Sequence, residues 1–113
     1  MTLLDFENQV INAAIASSIC DIPRIVRLSS TAIKLRIELI TDDFIDAFYN
    51  EETNTTAYAL IRQGRRVFGA DNTGGWHLHP FAEPNRHEHL SAPLSFVDFV
   101  VEIERQYSKD VGK

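Results

Sequence analysis

From residue 33 to residue 39 this chain alternates without a break. Ile33, Leu35, Ile37 and Leu39 are apolar, and Lys34, Arg36 and Glu38 between them are charged. Successive side chains of a strand point to opposite faces of a sheet, so a period of two predicts a strand with one buried and one wet face. A sheet that is apolar on one face only must be covered by a second layer. The two ends of the chain offer that layer, because the period there is 3.6. Over residues 4–20, Phe6, Val10, Ala13, Ala14 and Ser17 recur at helical spacing, with Ile11, Ile15 and Ile19 widening the stripe. Asp5 is the expected N-cap, and Pro23 the expected stop. Near the other end, Ser95 is placed to cap a helix whose apolar face is Phe96, Phe99, Val100, Ile103 and Tyr107.

The remaining strands follow from turn chemistry. Thr41-Asp42-Asp43 ends the first alternation, residues 44–49 and 55–62 read as the next two strands, and Gln63-Gly64 is a tight hairpin signal leading into 65–70. Residues 24–28 are a further strand candidate. Short connections imply antiparallel neighbours. Phe44, Phe48, Phe68, Phe96 and Phe99 are the expected aromatic core. Residues 1–113 therefore read as a single α+β domain, a two-layer sandwich. An antiparallel β-meander of about four to five strands carries an N-terminal and a C-terminal helix packed on one face. The other face, with Lys34, Arg36, Glu38 and Asp46, is left for a partner or a second copy of the chain, a homodimer.

Charge and cysteine usage narrow the function classes. The net charge of −5 argues against binding a polyanion through the whole surface, although Arg24 with Arg27, and Arg62 with Arg65 and Arg66, form local basic groups. Cys20 stands alone, so no intrachain disulfide forms. No apolar run suits a membrane span, and the N-terminus lacks a basic-then-apolar leader. The expected location is the cytoplasm, with no membrane partner.

All four histidines, His77, His79, His87 and His89, fall within 13 residues, as two His-x-His pairs. Imidazole both gives and takes protons near neutrality and is the commonest metal ligand. In extended backbone, residues i and i+2 point the same way, so each pair can address one point. One reading is a zinc-type metal site built from His77, His79, His87 and His89, with Glu83 and Glu88 as carboxylate candidates. The other needs no metal. A neutral imidazole takes the ribose 2′-hydroxyl proton of RNA, an imidazolium protonates the leaving oxygen, and Arg62, Arg66 or Arg86 steadies the phosphate charge. Tyr49, Tyr58 and Trp76 are the rings available to stack bases. Asp71-Asn72 reads as a strand terminator, and the segment from Asp71 through the histidines as a long irregular loop.

The run Tyr58-Ala59-Leu60-Ile61-Arg62-Gln63-Gly64-Arg65-Arg66-Val67-Phe68, followed by Asp71-Asn72 and then by the histidines with Pro80-Phe81 and a final His87-Glu88-His89, resembles the TumE-type toxin family of prokaryotic toxin–antitoxin systems. The similarity spans approximately residues 22–104. It implies a toxin acting at the level of RNA and neutralised by a cognate antitoxin. By position, Arg62, Asp71, Asn72, His77, His79, His87 and His89 match the recurrent residues. Between Asn72 and His77 this chain departs from the family, with Thr73, two glycines and Trp76 where relatives more often place another histidine. The expectation is a metal-independent ribonuclease with His77, His79, His87, His89 and Arg62 catalytic. Arg66, Arg86, Tyr58, Asn72 and Trp76 would then contact substrate. A zinc-type binding module or hydrolase, and a non-enzymatic interaction domain, are the alternatives.

Overall fold

The computed structural model describes residues 1–83 and 85–111. Helix α1 spans Leu3–Ala16, and seven strands follow: β1 Arg24–Leu28, β2 Ala32–Glu38, β3 Phe44–Asn50, β4 Thr55–Arg62, β5 Arg65–Asp71, β6 His77–His79 and β7 Glu88–His89. Helix α2, Phe96–Val111, is the last described element. The strands lie in one antiparallel sheet in sequence order, a pure meander. The α+β expectation holds, but with more strands than expected, because the histidine segment is not an irregular loop. It folds back twice and adds β6 and β7 to the edge of the sheet.

Local chemistry explains the boundaries. Thr2, not Asp5, caps α1. The Thr2 hydroxyl accepts from the Asp5 amide at 3.1 Å, and the Asp5 carboxylate accepts from the Thr2 amide at 2.9 Å, a reciprocal capping box. The helix stops at Ala16 rather than residue 20, because Ser17 turns extended and Cys20 bridges to Leu39. The apolar residues past Ala16 belong to that return, not to a helical stripe. The Gln63-Gly64 hairpin has positive φ at both residues, 51° and 77°, which matches the right-handed twist of the flanking strands. Ser95 caps α2 through its hydroxyl and the Asp98 amide, as expected.

The core lies between the helices and one face of the sheet. Phe6, Val10 and Ala13 of α1 and Phe96, Phe99 and Ile103 of α2 meet Leu35, Ile37, Ile45, Tyr49, Leu60 and Phe68. Phe68, Phe96 and Phe99 enter the core as expected, and two of the expected aromatic residues do not. Phe44 and Phe48 are not core residues; their neighbours Ile45, Ala47 and Tyr49 are. In a strand only one of two alternating sets can face the helices, and in β3 the pairing of Ala47 with Leu35 and Tyr58 selects the odd set. Phe44 and Phe48 therefore lie half-buried on the face away from the helices.

Candidate functional site

Registers carry one set of side chains straight across that second face. Lys34 pairs with Phe48, Phe48 with Ala57, Ala57 with Asp71, Asp71 with His77, and His77 with His89. The next row runs through Arg36, Asp46, Ala59, Gly69 and His79. Directly paired residues point the same way, so the histidines sit on the face opposite the helices.

Asp71, the last residue of β5, stands opposite His77 and diagonal to His79. Its carboxylate reaches both rings, with Oδ1 at 3.2 Å from His77 Nε2 and Oδ2 at 3.2 Å from His79 Nε2. Oδ1 also accepts from the Thr73 amide at 3.0 Å. Burial pushes the Asp71 carboxyl up, but the Thr73 amide and the two imidazoles outweigh it and hold the group below the usual carboxylate range. The site thus has a fixed anion beneath two buried rings. His77 Nδ1 lies 3.1 Å from the Gly75 carbonyl. With an acceptor oxygen at each nitrogen, both contacts of His77 are hydrogen bonds only when the ring carries two protons. His79 is 4% exposed, and its Nδ1 is buried with no partner.

The third ring comes from the returning loop. Phe81 stacks on Phe68 at 4.3 Å between centroids, and Phe68 on Phe99 at 4.9 Å, so the loop is clamped to the core soon after β6. The chain then returns to β7 and lays His87 against His77 (5.0 Å, nearly parallel) and edge-on to His79 (4.5 Å). His87 is exposed. Desolvation by its neighbours, then the charges of His79, His77 and Arg66, hold it below the ordinary imidazole value, against a smaller upward pull from Asp71. One ring nitrogen from each of His77, His79 and His87 lies within 4.8 Å of the other two.

Arg66 reaches the cluster along the same face. Gly69, the cross-strand partner of His79, makes this path passable. A Cβ at Gly69 would stand 3.0 Å from Arg66 Cδ and 3.0 Å from the Tyr58 carbonyl.

Of the residues expected at a site, the fold brings His77, His79, His87 and Arg66 together. It does not bring the others. His89 is opposite His77 in register but stays exposed outside the trio. Arg62 points to the helix side, bound to Asp43 at 3.0 Å, with Tyr107 of α2 on the same carboxylate. Arg86 is exposed and paired with Glu83 and Glu88. Tyr58 is buried, donates its hydroxyl to the Leu94 carbonyl and touches Trp76, itself half-buried against the core. Asn72 stitches backbone, accepting from the Thr56 amide and donating to the Asn54 carbonyl at 2.8 Å each. The Asp71-Asn72 pair therefore divides. Asn72 ends the strand as expected, and Asp71 organises the histidines. Only the cross-strand register reveals that division.

No family model, curated protein or solved structure was found to match this chain. Among the described residues, no helix is long and apolar enough to cross a membrane.

Proposed function

We propose that the chain is a metal-independent ribonuclease acting through the Asp71–His77–His79–His87 cluster, and that it is the toxin of a toxin–antitoxin pair. One observation carries the chemistry. A single half-buried carboxylate holds two buried imidazoles while a third, solvent-facing imidazole packs against both. Acid–base catalysis needs two proton-transfer groups in different environments within reach of one substrate. His87 is the base and accepts the ribose 2′-hydroxyl proton. The 2′-oxygen then forms a bond to phosphorus as the bond to the 5′-oxygen breaks. The imidazolium held by Asp71 gives its proton to that leaving oxygen, so the products are a 2′,3′-cyclic phosphate and a 5′-hydroxyl. Arg66 adds positive potential where charge builds on the phosphate. The toxin role rests on the resemblance in the 58–89 segment and on this chemistry together.

Expression of the chain alone should arrest bacterial growth, and purified protein should cleave RNA to cyclic-phosphate ends. His79→Ala and His87→Ala should each slow cleavage by about 10²–10⁴-fold and relieve the arrest. Unchanged cleavage in both variants removes the assignment.

A second reading has its own support. Three imidazoles within 4.8 Å, with a buried and unpartnered nitrogen on His79, are a donor set that suits Zn²⁺. Tetrahedral ligands at about 2.0–2.1 Å stand roughly 3.4 Å apart, so the trio would have to contract by at most about 1.4 Å. In that case Asp71 would orient the rings from behind. Metal analysis of tag-free protein after zinc supplementation separates the two: about one zinc per chain favours the metal centre, and less than about 0.2 ends it.

A further inference from the structure

We infer that the open face of the sheet is a track for single-stranded RNA, running across the strands from the histidine cluster past Ala57 and Phe48 to the basic edge at Lys34 and Arg27. The inference rests on the ribonuclease reading and names its substrate more closely.

Relief comes first. Between the histidines on β6 and the aromatic rings on β3, the face is floored by Ala57 and Ala59 of β4, while Gly69 of β5 is buried beneath the Arg66 side chain. Both side chains are single methyl groups, and they lie two residues apart on the strand between the two banks. The result is a shallow trough with imidazoles and Arg66 on one bank. Phe44 and Phe48 form the other, half-buried and outside the hydrophobic core. Half-buried aromatic rings beside a low floor offer a surface that unpaired bases stack on. Arg36 already lies over the Phe44 ring at 4.2 Å, so one stacked cation–aromatic layer is in place.

Charge points the same way. The chain carries −5 overall, yet this end of the face is basic. Arg24 pairs with Arg36 and Arg27 with Lys34 in register. These four cations face two carboxylates, Glu38 and Asp46. A local excess of positive charge in an acidic protein is an address for a polyanion, not a general surface property.

The face is also long enough for several nucleotides. From β6 to β2 there are four strand spacings of about 4.8 Å, or roughly 19 Å. That is longer than one nucleotide and calls for an extended strand. A duplex hides the base faces that Phe44 and Phe48 would stack on, so the track selects single strands.

The test uses a short fluorescein-labelled single-stranded RNA with 2′-O-methyl groups, which removes the nucleophile and separates binding from cleavage. The full chain should bind it, and a duplex of the same sequence at least tenfold more weakly. Arg27→Glu with Lys34→Glu should weaken binding at least tenfold. It should also flatten the salt dependence by about 1.4 in log–log slope, for two lost phosphate contacts. Phe48→Leu keeps apolar volume but loses the ring face, and should weaken binding by about tenfold. Arg105→Ala, on the exposed side of α2 and away from the open face, should bind within about threefold of the parent. Equal melting temperatures show that the folds are intact. If the basic and Phe48 variants bind like the parent while the parent cleaves RNA, the track is wrong and the ribonuclease reading stands. If they lose binding but no variant or parent cleaves, the track stands and the chemistry fails. Preference for duplex overturns the track. So does a parent dimer in solution that the same substitutions dissociate, since the face would then bind a second copy.

Discussion

Asp71 decides whether this cluster is chemistry or coincidence. Histidines gathered in a short segment are visible in the sequence, but their convergence depends on a residue six positions earlier that looks like half of a turn signal. The Asp71 carboxylate reaches the imidazoles, while the Asn72 amide bonds the backbone of Thr56 and Asn54, so the two serve different roles. Asp71→Asn tests this. The amide keeps one acceptor and turns the other into a donor, which cannot take a proton from the second imidazole. One of His77 and His79 loses its tautomer and orientation. Cleavage should fall by about 10²–10⁴-fold with little change in KM, because Asp71 touches the histidines and not the phosphate. A loss seen only in KM would mean that Asp71 serves binding instead. The same reasoning shows why Arg62 misleads. Its place in a motif-like strand is evident, but the even positions of β4 face the helices, and parity is fixed by Tyr58 and Leu60 entering the core.

At the scale of elements, strong periodicity was legible and short pairing was not. The alternation in β2, the hairpin at Gln63-Gly64 and the apolar face of α2 are each long enough to be read locally. Strands β6 and β7, at three and two residues, are too short to show any period. They exist because β5 presents an unpaired edge and because the loop between them is anchored. Phe81 supplies that anchor by extending the Phe68–Phe99 stack. Phe81→Ala should remove one layer, at about 2 kcal/mol for a half-buried ring. Its more telling effect is on function. His77 and His79 keep Asp71, but the segment carrying His87 loses its clamp, and cleavage should drop by about 10–100-fold. Amide exchange should rise across residues 85–89 and remain unchanged in β2 and β3. Faster exchange throughout the sheet would show that Phe81 supports the core rather than the loop.

The whole molecule separates its labour by face. The helices and core occupy one side of the meander, and the histidines, the small-residue floor and the basic edge occupy the other. The alternation in β2 made that division legible, since its charged set needed a wet face, but not that the wet face would carry the site. On the helix side, a polar cluster of Asp43, Arg62 and Tyr107 ties one end of the sheet to α2. Its consequence is for stability. Burial pushes the Asp43 carboxyl up, but the bonds from Arg62 and Tyr107 and the Arg62 charge outweigh this and hold it below its ordinary value. Burial and then Asp43 push the Tyr107 hydroxyl to about 12, so it remains a donor at any physiological pH. A carboxyl depressed in the folded state binds its proton more weakly than in the unfolded chain. The stability it adds is therefore complete above the ordinary value near pH 4 and disappears as the pH falls through the depressed folded value. Asp43→Asn should lower stability at pH 7 by about 1–3 kcal/mol, since Arg62 is partly exposed and finds water in compensation. It should also flatten the loss of stability below pH 4, because the titrating group is gone. Chemical denaturation of both proteins between pH 2.5 and 7 measures this. Parallel curves across that range would show that the acid limb comes from other carboxylates, Asp71 first among them. RNA cleavage by the Asp43 variant at neutral pH should stay at the parent level, since the cluster it breaks lies on the opposite face from the histidines.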